Sequence, residues 1–402
     1  MANNADQLSA HYDAYPYPER NPSDEASRLV TGSPSHPLEI DHFLFAGRRN
    51  WSQTLRVLVA GGGTGDALIQ MAQVLTIAGK PHQITYLDIS PKAREIAEAR
   101  AQARGLGEIE FVTGSLLDAP DMGEYDYIDC CGVLHHLPEP QEGFDALARA
   151  VTEEGGIGLM VYAPYGRTGV YPLQEAFATL LKGKPADRLK KAKAIFERVP
   201  DGHPFKRNRH LSDHRASDAG FYDLLLHSQD RAYTIREFLA AIEAAGLHLI
   251  GQPQAHLYDP VPFVNDTSLL RDIDEVTKME LAEKLNGAIR THIAYVARTG
   301  DRAAPRNERD AVPHLKGISG QKLSQTAAKT GVIPVSHSGA VAEIPVSAMA
   351  LRSLAYVDGR ATLEEIATKS GLDAVAFSSI WRPLSESLTK YGLMFYSKLM
   401  RE

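Results

Sequence analysis

The chain has 402 residues, 44% of them hydrophobic and 23% charged, with a formal net charge of −7. This is globular composition, long enough for two or three domains, and it lacks the global excess of Lys and Arg that phosphate-rich partners require, so nucleic acid is not an expected partner. The only cysteines, Cys130 and Cys131, are adjacent, which argues against a disulfide framework or a zinc site and fits a reduced, cytoplasmic setting.

The start, MANNADQLSA, is polar and lacks the apolar core of a signal peptide, and no apolar run approaches the roughly 18 residues needed to span a bilayer. His11–Pro22, HYDAYPYPERNP, follows. Proline fixes φ and lacks a donor, so this stretch reads as stiff and extended: a docked tail or a cover over a site. LRVLVA (Leu55–Ala60) reads as a buried strand, followed by glycines and a helical pattern that stops at Gly79. QITYLD is a second strand. SPKAREIAEARAQARG is a helix with Ser90 as N-cap, Pro91 at its first position and Gly105 as its stop. IEFVTG and YDYIDCCGVL are further strands, EGFDALARAV a helix and GGIGLMVYA a fifth strand. Strands alternating with helices predict a parallel sheet with right-handed crossovers.

The alternation breaks at Pro164. Residues 164–232 read as a helical insertion, with helices near Pro172–Leu181 and Ala186–Arg198 and a polar, His- and Arg-rich stretch after them. A helix from Thr234 and a closing strand within Asn286–Arg298 restore the pattern. TGDRAAPRNERDAVPH reads as a linker, which predicts that residues 1–300 fold alone. Beyond it, residues 314–402 form a small α+β unit. It holds a helix capped by Thr362 and Glu365, a helix interrupted by Pro383, and a final strand, MFYSKLM. That order predicts a winged-helix-like module, suited to protein contact or homodimerisation more than to DNA.

VLVAGGGTGD places Gly61, Gly63 and Gly65 between a strand and a helix, where a ligand can approach the backbone at a helix N-terminus. Asp88, at the end of the second strand, can accept hydrogen bonds from both hydroxyls of a ribose or cap the next helix. His210 and His214 are four apart, but no third metal ligand is evident and no metal is expected.

These motifs, with YDYIDCCGVLHHLPEP and HIAYVAR, resemble class I S-adenosylmethionine-dependent methyltransferases over roughly Leu55–Tyr162 and Thr234–Arg298. The resemblance implies a Rossmann-like seven-stranded α/β core over residues 55–300, with S-adenosylmethionine above the strand C-termini. Carried onto this chain, Gly61, Gly63 and Gly65 would cradle the methionine and sugar, Asp88 would hold the ribose and Ile89 would pack on the adenine. Ser115 and Leu116 would flank the adenine edge, and Cys131, Gly132 and Val133 would line the floor near the reactive sulfur. Val59 and Ser115 stand where the family often has acidic residues, which weakens specific contacts. His135 and Tyr17 are the candidate catalytic groups. Tyr162, Tyr165, Arg167, Tyr222, Asp223 and His227 are the candidate substrate residues.

The YPYP segment is similar to one ahead of the glycine loop in bacterial protein-lysine methyltransferases with a regulatory domain. It implies that residues 1–54 form a lid, with Tyr15, Tyr17 and Arg20 on the cofactor. The expected function is methyl transfer to a protein or peptide side chain. A small-molecule O- or N-methyltransferase and a non-catalytic cofactor-binding protein are the alternatives.

Overall fold

The computed structural model describes residues 11–300, 302, 308–337 and 340–401. The polar start at residues 1–10, part of the expected linker (301 and 303–307), residues 338–339 and the C-terminal residue 402 lie outside the described residues.

Seven strands form one sheet: β1 (Leu55–Ala60), β2 (His82–Asp88), β3 (Ile109–Thr113), β4 (Tyr125–Cys131), β5 (Val151–Tyr162), β6 (His248–Gly251) and β7 (Thr291–Ala297). Their spatial order is β3-β2-β1-β4-β5-β7-β6. Strand β7 runs antiparallel to β5 and β6, and the pairings from β3 through β5 are parallel. Side chains alternate between the two faces along each strand. On β1, Leu58 and Ala60 join one core with Ile128, Phe144 and Phe238. Val57 and Val59 join the other, with Leu68, Tyr86 and Tyr295. Both faces are therefore dry, which accounts for the near-continuous apolar run of β1. The chain winds one way from β1 to β3 and the other way from β4, so a crevice opens at the C-terminal ends of β1 and β4.

The helices that flank the crevice are α1 (Pro37–Leu44), α2 (Asp66–Ile77), α3 (Pro91–Ala103) and α4 (Pro140–Ala150). Ser90 caps α3, its hydroxyl accepting from the Ala93 N–H at 3.1 Å. The insertion supplies α5 (Val170–Leu180), α6 (Pro185–Phe196) and α7 (Asp218–Leu226), which close a core of their own around Phe177, Phe205, Phe221 and Leu225. Helix α8 (Ile235–Ala244) starts at a capping box of Thr234 and Glu237. Helix α9 (Glu275–Asn286) has no sequence counterpart above: EVTKMELAEKLN lacks an apolar stripe, and only Ala282 and Glu283 are buried.

The C-terminal unit differs from the expected winged-helix-like order. It opens with β8 (Pro313–Leu315) and α10 (Gly320–Ala327), then a hairpin of β9 (Val332–His337) and β10 (Ala340–Pro345). Helices α11 (Ala348–Leu354), α12 (Leu363–Ser370) and α13 (Ala374–Lys390) follow, and β11 (Met394–Tyr396) pairs back antiparallel with β8. The hairpin thus precedes the last three helices, and the final strand extends no wing. Pro383 does not interrupt α13; burial of Trp381, Leu384 and Leu388 offsets the one lost backbone bond.

Helix α1 joins the two units. Asp41 Oδ2 accepts from Ser397 Oγ at 2.6 Å and Trp51 Nε1 at 3.0 Å, and His42 Nδ1 accepts from the Tyr396 N–H at 2.9 Å. Buried Glu39 is held by Lys316 at 2.5 Å, and Leu399 lies in the same core as Ile40, Leu55 and Val57. Among the described residues no helix is long and apolar enough to cross a membrane.

Candidate active site

A cavity of about 430 Å³ fills the crevice. Its floor is the glycine loop. Gly61 and Gly62 both donate to the Leu87 carbonyl, at 2.8 and 3.1 Å. Gly61 has φ +71°, and a Cβ there would lie 2.4 Å from Val133 Cγ2; one on Gly62 would lie 2.4 Å from the Tyr86 ring. No side chain fits beneath the loop, so the backbone itself faces the cavity. Gly61, Gly62 and Gly63 line the cavity, but Gly65 does not. A Cβ on Gly65 would meet Ala97 Cβ at 3.0 Å, so it lets α2 pack on α3 instead of cradling a ligand.

Asp88 ends β2 at the cavity wall. Its Oδ2 accepts from the Gly63 N–H and its Oδ1 from the Ser90 N–H, both at 2.8 Å. Burial pushes its pKa up, against the pull of those bonds. The carboxylate is thus fixed in place, with lone pairs to spare for two vicinal hydroxyls. Ile89, Ser115 and Leu116 line the same end, and Cys131, Gly132 and Val133 the other. Ser115 also accepts from the Leu117 N–H at 3.2 Å, which commits part of its hydroxyl to the local turn. Sequence reading missed Asp129, which is buried at the cavity wall on β4 with its pKa raised to about 6 by desolvation. It also missed Asp66 and Gln70 on α2.

The N-terminal segment lies over the loop. Residues 11–14 are helical, and the Tyr15 N–H closes the turn onto the His11 carbonyl at 2.9 Å, so the segment is not extended from its start. Thr64 Oγ1 donates to the Pro18 carbonyl at 2.7 Å, and a Cβ on Gly63 would meet the Tyr17 carbonyl at 3.1 Å. Tyr12, Tyr17 and Arg20 line the cavity. Tyr15 does not: its ring stacks on Tyr222 of the insertion at 4.8 Å. The fork of Arg20 is taken by Asp66, Nε at 2.8 Å and a terminal nitrogen at 2.6 Å. Arg100 binds Asp66 at 2.8 Å and Glu25 at 2.6 Å, which ties the whole segment to α2 and α3.

The far end of the cavity is lined by Tyr162, at the end of β5, with Asp223 and His136. Tyr162 donates to Asp223 at 3.4 Å. Asp223 is buried, has no salt-bridge partner among the described residues, and has its pKa raised to about 7, by desolvation first and by Asp230 second. His135 does not reach the cavity. Its buried ring packs on Tyr162 at 4.0 Å, and burial holds its pKa well below the usual value. The neighbouring His136 is the residue on the wall, its Nδ1 held by the Gln229 carbonyl at 2.8 Å. Arg167, Tyr165 and Tyr222 also lie outside the cavity. Arg167 stacks on Tyr162 at 3.6 Å and pairs with Asp230 at 2.9 Å; Tyr222 accepts from Arg188 at 2.8 Å. These contacts stiffen the wall. His227 supports it from behind, stacked on His136 at 3.9 Å and bonded to the Tyr12 hydroxyl at 3.2 Å.

Two groups bring three ligand atoms within 4.8 Å of one another: His135, His136 and Asp230, and His136, Asp223 and His227. In the first, Asp230 already pairs with Arg167. In the second, both nitrogens of His227 are engaged, Nδ1 by the Gln229 N–H at 3.1 Å and Nε2 by Tyr12. We assign neither as a metal centre.

Residues 58–157 match the family model of a methyltransferase domain. The chain is 29% identical over 329 residues to an uncharacterized protein of Synechococcus sp., covering 79% of this chain and 77% of that one. A tRNA 5-carboxymethoxyuridine methyltransferase of Escherichia coli is 30% identical over 117 residues, which is 28% of this chain and 42% of that enzyme. The solved structure of PKMT2 from Rickettsia typhi in complex with AdoHcy superposes with a TM-score of 0.64 at 15% identity, over 92% of this chain and 77% of that one. Residues 58–157 thus match a methyltransferase domain within a Rossmann-like fold, for which the expected cofactor is S-adenosylmethionine. The side-chain-free cradle over Gly61–Gly63 and the fixed carboxylate of Asp88 fit that molecule.

Proposed function

We propose that the protein transfers the methyl group of S-adenosylmethionine to an amine nitrogen on a side chain of a protein or peptide. The observation that carries this reading is Asp223, a buried carboxylate with no salt-bridge partner among the described residues, in the same cavity as the glycine loop and beside Tyr12, Tyr17 and Tyr162. A buried negative charge calls for a cation, and tyrosine faces favour an ammonium group. Cavities for drug-sized ligands run to roughly 300–1,000 Å³. At about 430 Å³, this one is of that size, with the glycine loop at one end and Asp223 at the other.

The cofactor supplies an electrophilic methyl group. In sheet order, Asp88 on β2 would hold the ribose, Asp129 on β4 would offer a carboxylate to the methionine ammonium, and Asp223 beside β5 would take the acceptor. Asp223 binds the incoming ammonium and accepts one proton, which leaves a nitrogen lone pair free to attack. Tyr17, Tyr162 and the lid exclude water and align nitrogen, carbon and sulfur.

In the free enzyme Asp223 titrates near pH 7, and only its ionised form binds an ammonium. We expect kcat/KM to rise about tenfold per pH unit below 7, then level off. Asp223→Asn should remove that limb and cut turnover about 10²–10⁴-fold. Because its folded pKa lies above the unfolded value, Asp223 weakens the unliganded fold as pH rises from about 4 through 7. Asp223→Asn should therefore melt higher than wild type at pH 8 and alike at pH 4. The assignment is tested with methyl-labelled cofactor in cell extract, followed by size fractionation and acid hydrolysis. Label in macromolecules, recovered as an N-methyl amino acid, is the expected result. Label in small molecules, or none, would support the small-molecule or binding-only alternative.

The lid gives a further expected result. Cofactor should slow amide exchange in residues 11–22, prolines aside, more than in α12 or α13. Deleting residues 1–22 should raise the cofactor dissociation rate while the sheet stays folded. Exchange in 11–22 that ignores saturating cofactor would remove the lid role.

A further inference from the structure

The insertion carries a charge that the whole chain conceals. Residues 182–215 hold eleven Lys and Arg against four Asp and Glu, a net +7 in a chain of net −7, so the remainder carries −14. Lys190, Lys191, Arg198, Arg207, Arg209 and Arg215 are all exposed, and none belongs to a salt bridge among the described residues. Ordinary surfaces intersperse the two signs, so this concentration produces a local positive field.

The surface is also held rigidly and close to the active site. Beneath it Phe196 and Phe205 pack edge to face at 5.5 Å, and His214 packs on Phe205 at 4.9 Å. Asn208 Nδ2 donates to the Gly166 carbonyl at 3.0 Å and Arg290 donates to the His210 carbonyl at 2.7 Å. Both anchors lie just beyond the strand ends that frame the cavity: Gly166 follows β5 and Arg290 immediately precedes β7. The same insertion continues into α7, which carries Asp223 into the cavity. Little ordering cost remains for a partner that lands there.

We propose that this basic face of the insertion docks an acidic stretch of polypeptide next to the methylated side chain. The proposal rests on the amine-acceptor reading of the cavity and adds the character of the surrounding sequence. Peptide is favoured over nucleic acid because the two phenylalanines of residues 182–215 pack on each other and on His214, and the segment holds no Tyr or Trp, so it lacks the large aromatic platform on which single strands stack. Docking would act on association, drawing acidic acceptors toward the cavity mouth and repelling basic ones.

The test uses the full-length protein saturated with S-adenosylhomocysteine. Fluorescein-labelled oligo-glutamate of twenty residues is titrated by anisotropy at 50 and 300 mM salt, beside an oligo-lysine and a single-stranded oligonucleotide of equal charge. Expected are binding of the oligo-glutamate, at least tenfold weakening at the higher salt, and no binding of the oligo-lysine. The variant K190E/K191E/R207E/R209E should lose oligo-glutamate binding and keep wild-type affinity for S-adenosylhomocysteine, which also shows that it is folded. No binding of oligo-glutamate at 50 mM salt, or equal binding by the variant, overturns the proposal. Tighter binding of the oligonucleotide than of oligo-glutamate also overturns it and assigns the face to nucleic acid. Failure of S-adenosylhomocysteine to bind would strike the cofactor reading instead, and labelled product in small molecules only would strike the amine-acceptor reading.

Discussion

Truncation after residue 300 should yield an aggregated chain that binds no cofactor, although all seven sheet strands are retained. The cut removes Lys316 and leaves Glu39, 1% exposed, without its cation. Lys316 is itself partly exposed, so losing it costs less than the roughly 3–5 kcal/mol of a fully buried pair. It also removes Leu399 from the core beneath β1, comparable to a Leu→Ala change of about 2–5 kcal/mol, and takes two partners from Asp41. Together these approach the ~5–15 kcal/mol of a typical domain. A finer version, Leu399→Ala in the full chain, should lower stability by about 2–5 kcal/mol with cofactor affinity unchanged. A soluble 1–300 fragment that melts cooperatively within a few degrees of the full chain would show the units to be independent.

Asp88→Ala should weaken binding of S-adenosylmethionine and S-adenosylhomocysteine about 10²–10⁴-fold. Two hydrogen bonds from the ribose hydroxyls to a charged acceptor contribute roughly 1.5–3 kcal/mol each. The substitution also leaves the Gly63 N–H without its acceptor and loosens the loop beneath the ligand. Asp88→Asn keeps one amide oxygen for Gly63 and should lose less. Calorimetry on folded variants separates these outcomes, and unchanged affinity in Asp88→Ala would remove the residue from the site.

The parts of this site that sequence made legible are local. A glycine run between a strand and a helix, and an acidic residue closing the next strand, lie within a few residues of the backbone feature that gives them meaning. Asp129 was illegible because its neighbours on the wall come from other strands and from residues 30–35. His135 and His136 are equivalent in sequence; one turn of 3₁₀ helix, Leu134–His136, puts only the second on the cavity wall. Tyr15 failed because its ring is taken up by Tyr222 of the insertion, a partner more than 200 residues away, while Tyr12 and Tyr17 on either side of it line the cavity. The C-terminal unit looked separable because the contacts that join it to α1 span 277 to 357 residues, beyond any pattern of period or spacing.

That span has a consequence for synthesis. Asp41 and His42 emerge from the ribosome long before Tyr396 and Ser397, and at 5–20 residues per second the delay is about 20–70 s. Throughout that interval Asp41 and His42 lack their C-terminal partners, and the part of the core that takes Leu399 stays uncovered. The nascent sheet is consequently exposed to chaperones and proteases until the last strand arrives, and messages that pause translation late in the gene should lower the yield of folded protein more than early pauses do.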